Sequence, residues 1–272
     1  MKKFHFLLTL ILALSVAFIS CRKEPKEPDP EPNDSEIITV NGVNFEMMVV
    51  KGGIFTMGRV PERDDVLGMV GWPDELPAHQ VTLSDFKIGK YPVTQALWKA
   101  VMGTDTTPSW HKGDNLPVEN VMWSDCIEFI TKLNGITGRN FRLPTEAEWE
   151  FAARGGVKSR GYKYGGSTQD INLVAWWAEN SGNKTHPVGL KKANELQIHD
   201  MSGNVREWCS DWYGPYTATP KTNPKGPEKG EYRVARGGSF YSLRRDNRIA
   251  TREALDQPYF TSHGLGFRLV LQ

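Results

Sequence analysis

Cysteine is scarce in this sequence, and its scarcity excludes several classes of metal and redox protein. Three cysteines occur in 272 residues: Cys21, Cys126 and Cys209. No two of them have the CxxC spacing that is typical of structural zinc sites and thiol redox motifs. Cys126 and Cys209 either form a disulfide, which an exported protein allows, or are buried as small apolar residues.

The chain also lacks a strong charge of either sign. Its formal net charge is +1, and the charge falls by two if the segment that carries Lys2 and Lys3 is removed. No basic stripe is visible, so we do not expect nucleic acid as a partner. The sequence shows no internal repeat, and its Gly-Gly pairs do not form a phosphate-binding motif.

Long apolar runs are absent except at the N-terminus. Residues 6–19 are apolar, follow Lys2 and Lys3, and precede Ser20 and Cys21. A basic start, a short apolar run and a small residue before the cut are typical of a secretory signal, and the run is shorter than the roughly 20 residues of a spanning helix. A cysteine at this point resembles the lipidated first residue of bacterial lipoproteins. We therefore expect a signal peptide over residues 1–20, a lipid anchor on Cys21, and the bacterial cell envelope and its membrane as the location.

A polar segment follows the predicted anchor. Residues 22–36 read RKEPKEPDPEPNDSE, with four prolines and no apolar side chain. Such a composition cannot bury a core and favours an extended spacer. We predict a tether over residues 21–36 and a folded domain over residues 37–272, whose length of about 235 residues suits one large domain or two small ones.

Within the domain, short strands and short helices alternate with long irregular segments. Asn41-Gly42 between two alternating runs predicts a hairpin. Thr94 and Ser124 are placed as N-caps of helices over residues 95–102 and 125–133. Thr145 with Glu148 predicts a capping box. With nine Trp and 26 Gly, this pattern favours an α+β domain of low regularity with many buried indoles.

Several segments together resemble the formylglycine-generating enzyme (sulfatase-modifying factor) family. They read GGIFTMG at 52–58, FRLPTEAEWEFAARGG at 141–156, DMSGNVREWCSDWY at 200–213, RVARGGSF at 233–240 and GLGFRLV at 264–270. They follow the order of the family, and the resemblance covers the chain from about residue 47 onward. It implies a single irregular α+β domain that is related to the C-type lectin fold.

The resemblance fails at the two reactive positions of the family. Its oxygen-dependent enzymes bind copper(I) through two cysteines after the GGS motif and oxidise a substrate cysteine to formylglycine. These positions are Ser242 and Asn247 here, and residues 233–272 contain no cysteine. Because copper(I) prefers soft thiolate ligands, we expect neither copper binding nor formylglycine formation.

A calcium site of the family is retained. The resemblance implies that one calcium ion is held by the side chains of Asp200 and Glu207 and by the backbone carbonyl groups of Gly203 and Val205. All four supply oxygen atoms, which calcium requires. The alternative is that the two carboxylates cap a turn or pair with Arg206, which stands where the family frequently has Trp.

The segment between the strands at 233–240 and 264–270 is the predicted binding surface, because loops on a rigid scaffold carry function. Its arginines could bind an anion through their forked donors or form internal ion pairs with Asp246, Glu253 and Asp256, and its aromatic residues could stack on a ligand or fill the core. The predicted surface comprises Phe240, Tyr241, Ser242, Arg244, Arg245, Asn247, Arg248, Arg252 and His263.

Three functions remain open at this point. We favour a lipid-anchored envelope protein that binds a protein, peptide or glycan ligand, or serves a structural role, without cysteine oxidation. The second is an enzyme of the same family with altered, non-copper chemistry. The third is a variable ligand-binding protein of the kind made by diversity-generating retroelements, whose variable segment lies in the same C-terminal stretch.

Overall fold

The computed structural model describes residues 34–66, 68–256 and 260–272. The predicted signal peptide, Cys21 and most of the predicted tether lie outside these residues. Strand β1 (Ser35–Val40) starts two residues before the predicted domain boundary, because the Glu36 carboxylate pairs with Lys87 and Arg139, each at 2.6 Å. No helix among the described residues is long and apolar enough to cross a membrane.

The first sheet joins the N-terminal hairpin to the C-terminus. The predicted hairpin is confirmed: Asn41 and Gly42 both have positive φ, 47° and 82°, which suits the turn between two directly paired strands. The hairpin strands and three further strands form a five-stranded antiparallel sheet in the order β1-β2-β5-β12-β6. Their bounds are β2 Val43–Val50, β5 Phe86–Gly89, β6 Phe141–Arg142 and β12 Val270–Leu271.

Two further sheets complete the strand framework. A four-stranded sheet has the order β10-β9-β7-β11, in which β11 is parallel to β7. A three-stranded sheet has the order β3-β4-β8, in which β8 is parallel to β4. The bounds are β3 Gly53–Met57, β4 His79–Leu83, β7 Arg206–Trp212, β8 Lys221–Thr222, β9 Tyr232–Arg236, β10 Arg252–Asp256 and β11 Leu265–Phe267.

The helices begin at capping residues, and two of the three predicted caps are confirmed. Thr94 accepts the Leu97 N–H at the start of α2 (Gln95–Met102), and Thr145 and Glu148 form the capping box of α4 (Glu146–Ala153). The third prediction was wrong: α3 (Trp123–Thr137) starts two residues earlier than predicted and extends past Leu133. The remaining helical segments are α1 Pro61–Asp64, α5 Ile171–Val174 and the 3-10 turns Pro73–Glu75, Gly156–Lys158 and Arg244–Asn247.

Two large apolar clusters form the core on opposite faces of β7. Trp208 belongs to the cluster that contains Phe129 on α3, and Cys209 belongs to the cluster that contains Trp149 on α4. Successive side chains of a strand point to opposite faces, and Cys126 lies with Phe129. Both Cys126 and Cys209 are therefore buried free thiols, and the alternative of a disulfide between them was wrong. The mixed helix and sheet content confirms the predicted α+β class.

Candidate functional site

A cleft of about 560 Å³ lies beside the predicted binding surface. Trp72 and Asp74 line it from one segment, and Tyr241, Ser242, Leu243 and Asp246 line it from a loop that Trp72 contacts through Asp246. The floor of the cleft is formed by Arg206 on β7, by Arg252 and Glu253 on β10, and by Thr251 just before β10. Three segments that are far apart in sequence thus meet around one opening.

The rim of the cleft is aromatic and apolar. Trp72, Tyr241 and Leu243 expose 39%, 38% and 62% of their surfaces. The Arg245 guanidinium carbon lies 3.7 Å from the centre of the Trp72 ring, and Trp72 Nε1 donates to Asp246 Oδ1 at 3.1 Å. These contacts fix the indole while leaving part of its surface free to meet a ligand.

The floor carries charges that are already paired. The Arg206 guanidinium donates to the Glu253 carboxylate and to the Tyr241 hydroxyl, and that hydroxyl lies 2.5 Å from Ser262 Oγ. Burial opposes the charge of Arg206, but Glu253 and Tyr241 raise its pKa above the usual value. The Arg206 Nε atom is buried and lacks a hydrogen-bond partner within the described structure.

Ser242 and Asn247, which replace the family's cysteines, hold the loop in shape. Asn247 Nδ2 donates to the carbonyl oxygens of Ser242 at 3.1 Å and Leu243 at 2.8 Å. Ser242 Oγ accepts the Ser239 N–H at 3.0 Å. A side chain on Gly238, whose φ is 67°, would collide with Asn247 Oδ1. The two positions remain adjacent, as the resemblance implies, but Asn247 is fully buried.

Two arginines of the predicted binding surface lie inside the protein. Arg248 binds the Glu75 carboxylate with both of its terminal nitrogens, and Arg252 binds Glu146 through Nε and Nη2. Neither arginine is more than 4% exposed, so their predicted role in binding an anion was wrong. The expected internal ion pairs do form, but with Glu75 and Glu146 from distant segments.

The remaining members of the predicted surface divide between core and solvent. Phe240 is buried, whereas Tyr241 is exposed and Arg244 and Arg245 are half-buried. Arg245 has its nearest carboxylate on Asp246, at 3.6 Å. His263 is exposed and stacks on the ring of Trp110, with 4.6 Å between the ring centres. Ser242 is half-buried and lines the cleft.

Seven residues that line the cleft were not predicted from the sequence as binding residues: Trp72, Asp74, Arg206, Leu243, Asp246, Thr251 and Glu253. Glu75, which pairs with Arg248, was not predicted either. Trp72 and Glu75 come from a polar segment that reads as an ordinary loop. Glu253 was expected to pair within its own loop, and it pairs with Arg206 instead. Of these residues, only Arg206 stood out in the sequence, because the family frequently has Trp at its position.

The four predicted calcium ligands do not line the cleft. Asp200 is buried, and its Oδ2 accepts the Gly189 N–H at 2.8 Å, while Oδ1 has no hydrogen-bond partner in the described residues. The Glu207 carboxylate accepts two hydrogen bonds from Arg268 and one from Trp149 Nε1, all at 2.8 Å. Two carboxylates thus face one arginine.

Burial raises the pKa of Asp200 to about 6, although the Gly189 N–H and Arg268 oppose the shift. A cation beside the free Oδ1 atom of Asp200 would supply the missing positive charge, whereas both oxygens of the Glu207 carboxylate are already bound by Arg268. No cluster of three or more His, Cys, Asp or Glu side chains that could hold a metal occurs in residues 34–66, 68–256 and 260–272. A calcium site here therefore depends on the two backbone carbonyl groups as well.

Comparisons with known proteins agree with this architecture. The chain is 34% identical over 275 residues to the chaperone protein LppX of Paenibacillus barcinonensis, which covers 82% of this chain and 87% of that protein. It is 38% identical over 172 residues to the formylglycine-generating enzyme of Streptomyces coelicolor, covering 57% and 52%. The chain thus spans most of the first relative and about half of the second.

A solved structure and a family model agree with these relatives. Treponema denticola variable protein 1 superposes with a TM-score of 0.76 at 30% identity, covering 87% of this chain and 98% of that protein. The model of the sulfatase-modifying factor enzyme 1-like domain matches residues 36–272, which includes both core clusters and the cleft. The chain therefore belongs to the sulfatase-modifying factor family, that of the formylglycine-generating enzymes.

Proposed function

We propose that this protein is a ligand-binding member of its family that does not oxidise cysteine. The observation that carries the proposal is the state of Ser242 and Asn247. The Asn247 side-chain amide donates hydrogen bonds to two carbonyl oxygens of the loop. Ser242 Oγ is hydrogen-bonded to the backbone N–H and the hydroxyl of Ser239. Neither side chain offers the soft ligand that copper(I) needs, yet the neighbouring cleft is kept open.

The ligand that best suits the cleft is a segment of polypeptide. Exposed aromatic residues such as Trp72 and Tyr241 supply large, rigid contact surfaces, and such residues dominate the energetics of protein interfaces. The name of the Paenibacillus relative, a chaperone protein, supports a polypeptide partner. A glycan that stacks on the same rings is the other ligand class consistent with this rim.

One experiment separates binding from oxidation. The purified protein is incubated with copper and a sulfatase-motif peptide, and the peptide is analysed by mass spectrometry. We expect the cysteine to remain unchanged, and formation of formylglycine would refute the proposal. In parallel, a peptide array and a glycan array are probed with the wild type and with Trp72→Ala and Tyr241→Ala.

Binding through the cleft requires both substitutions to weaken capture by about tenfold or more, as expected for aromatic anchors. Ile54→Ala is the matched control, because Ile54 is 68% exposed and does not line the cleft. Equal capture by all four proteins would show that ligands bind elsewhere.

We further propose that the protein is anchored to the cell envelope through Cys21 and holds one calcium ion at Asp200, Gly203, Val205 and Glu207. The sequence around Cys21 supports the anchor, and the partner-free Oδ1 atom of Asp200 supports the cation. Cys21→Ala should move the protein from the membrane fraction to the soluble fraction of the cell. An unchanged distribution would rule out lipidation at Cys21 as the anchor.

A second candidate function is a variable ligand-binding protein, which the similarity to Treponema denticola variable protein 1 favours. Its variable residues would lie in the C-terminal stretch that includes Tyr241 and Leu243. A near-copy of the 3′ end of the gene beside a reverse transcriptase gene would support this function, and their absence from the locus would exclude it.

A further inference from the structure

A second cleft, of about 510 Å³, lies on the other side of the ion pair between Glu146 and Arg252. Arg252 borders both clefts. The end of β7 contributes Asp211 and Trp212, and the segment 214–227 folds over them. Ligand binding in the first cleft does not require this second cleft.

The second cleft contains an unusual carboxylate. Nine Asp and Glu side chains of the described structure are at least nine-tenths buried. Six of them form ion pairs with arginine, and Glu119 lies 3.7 Å from a nitrogen of His111. The two that form no ion pair are Asp200, at the proposed calcium site, and Asp211. A buried carboxylate without a counter-charge is costly, so Asp211 calls for a cation as Asp200 does.

The surroundings of Asp211 do not supply that cation. Its Oδ2 accepts the Glu146 N–H at 3.1 Å and the Ser210 hydroxyl at 3.0 Å. Glu146 and Glu148 on α4 face it with like charge, and the Arg233 guanidinium on β9 is too distant for an ion pair. Burial, followed by the charge of Glu146, raises the pKa of Asp211 to about 7.

Lysines that line the cleft carry the opposite charge. Lys225 is exposed and Lys221 half-buried, and neither forms an ion pair with a carboxylate of the described residues. The lining also contains the aromatic and apolar residues Trp212, Pro215, Tyr216, Pro224 and Pro227, together with His79 and the paired Glu146 and Arg252. A simple anion would meet Asp211, and a simple cation would meet the two lysines.

We propose that this cleft binds a small zwitterion of the amino-acid class. Its primary ammonium group pairs with Asp211, its carboxylate pairs with Lys221 and Lys225, and its methylene chain lies against the aromatic and proline walls. The volume of the cleft accommodates a molecule of this size. The aromatic walls add a favourable cation–π contribution near the ammonium group.

The test is calorimetric titration of the purified protein with glycine, β-alanine, γ-aminobutyrate and ε-aminocaproate, with hexylamine and hexanoate as single-charge probes. We expect at least one zwitterion to bind about tenfold or more tightly than either single-charge probe. Asp211→Asn keeps the shape and the acceptor for the Glu146 N–H, and it should weaken zwitterion binding by about tenfold or more. Binding should also weaken below about pH 7, where Asp211 takes up a proton.

Lys225→Glu provides a second variant in case Asp211→Asn fails to fold. It should weaken zwitterion binding to a similar degree, whereas Lys229→Glu should not, because Lys229 is an exposed lysine just beyond the segment 214–227 and outside the lining. Three outcomes would overturn the proposal: no zwitterion binds at roughly 10 mM, a single-charge probe binds as tightly as the best zwitterion, or Lys225→Glu binds like the wild type.

Discussion

Asn247 shows how one side chain can replace chemistry with structure. Its side-chain amide donates to two carbonyl oxygens of the loop that begins at Ser242, and its backbone carbonyl oxygen accepts a hydrogen bond from the Ser202 hydroxyl at 2.7 Å. A thiolate could donate neither of the two hydrogen bonds that the amide makes to the loop. The residue therefore stabilises the wall of the first cleft at a position where the family's enzymes bind copper.

Asn247→Asp tests this structural role. The substitution keeps the shape, but it removes both donors and places a carboxylate against two carbonyl oxygens in a buried site. We expect the free energy of unfolding to fall by roughly 1–3 kcal/mol, measured by urea denaturation. Asn115→Asp is the control, since Asn115 is exposed, and its effect should stay within about 0.5 kcal/mol. Equal effects of the two substitutions would contradict the role of Asn247.

The Glu75–Arg248 pair joins the segment of Trp72 to the loop of Tyr241, both of which line the first cleft. Both side chains are fully buried, and Thr251 Oγ1 lies 3.3 Å from the same carboxylate. Glu75→Gln leaves the arginine charge without its partner, so we expect a loss of about 3–5 kcal/mol of unfolding free energy. Adding Arg248→Met should recover part of this loss, because both charges are then absent.

The exposed pair of Lys51 and Asp85 is the comparison, with side chains 71% and 62% exposed. Lys51→Ala should cost about 1 kcal/mol or less. If Glu75→Gln cost no more than Lys51→Ala, the buried pair would not hold the two segments together.

Distance along the chain decides which of these contacts the sequence could predict. Arg154 pairs with Glu150 four residues away, as their spacing on one helix predicts. Glu75 and Arg248 are 173 residues apart, and no local pattern joins them. Arg248 was placed on the predicted binding surface, but it is buried against Glu75. The sequence around a loop arginine does not show whether the side chain lies at the surface or in a buried ion pair.

At the scale of elements, helix α3 shows where local rules reach their limit. Ser124 was expected to cap the helix, but the Asp125 carboxylate accepts the N–H of Met122 at 2.9 Å instead, so the helix starts earlier. Gly135 and Gly138 were both expected to end it, and only Gly138 does: the helix continues through Gly135 to Thr137 and ends at Gly138, whose φ is 65°. A glycine in a helix and a glycine that stops one differ only in backbone conformation.

The two glycines of α3 therefore respond oppositely to alanine. Gly135 is exposed within the helix, and a methyl group there would meet no atom within 4 Å. Gly135→Ala should raise the unfolding free energy by about 0.5–1 kcal/mol, because alanine loses less backbone entropy in a helix. Gly138→Ala should lower it, because its left-handed conformation is strained for alanine. Denaturant midpoints of the two variants on the same side of the wild type would disprove this assignment.

At the scale of the whole molecule, the sequence predicts the class of domain and not its clefts. The hairpin, two of the three caps and the family motifs follow from neighbours in the chain, and these were confirmed. The first cleft joins Trp72, Tyr241 and Glu253 from three segments, and the second is closed by the segment 214–227 over the end of β7. Openings of this kind depend on packing between sheets, which no local pattern specifies.

The proposed calcium site would link the stability of the domain to pH through Asp200. Its pKa is raised from 3.8 to about 6 in the folded protein, so without calcium its contribution to stability is present below about pH 4 and is lost as the pH rises through 6. At the proposed site calcium would bind the ionised carboxylate, and protons would compete with it below that value. The stabilisation by calcium should therefore grow as the pH rises.

The prediction is that calcium raises Tm more at about pH 7.5 than at about pH 5, and that removal by a chelator reverses the increase. Asp200→Asn should abolish the difference between the two pH values, because the amide neither titrates in this range nor supplies a charged ligand. Magnesium should stabilise less, since it demands a stricter octahedral geometry. Scanning calorimetry of both proteins with calcium or chelator measures each effect. A calcium response of equal size at both pH values, or one that persists in Asp200→Asn, would place the ion elsewhere.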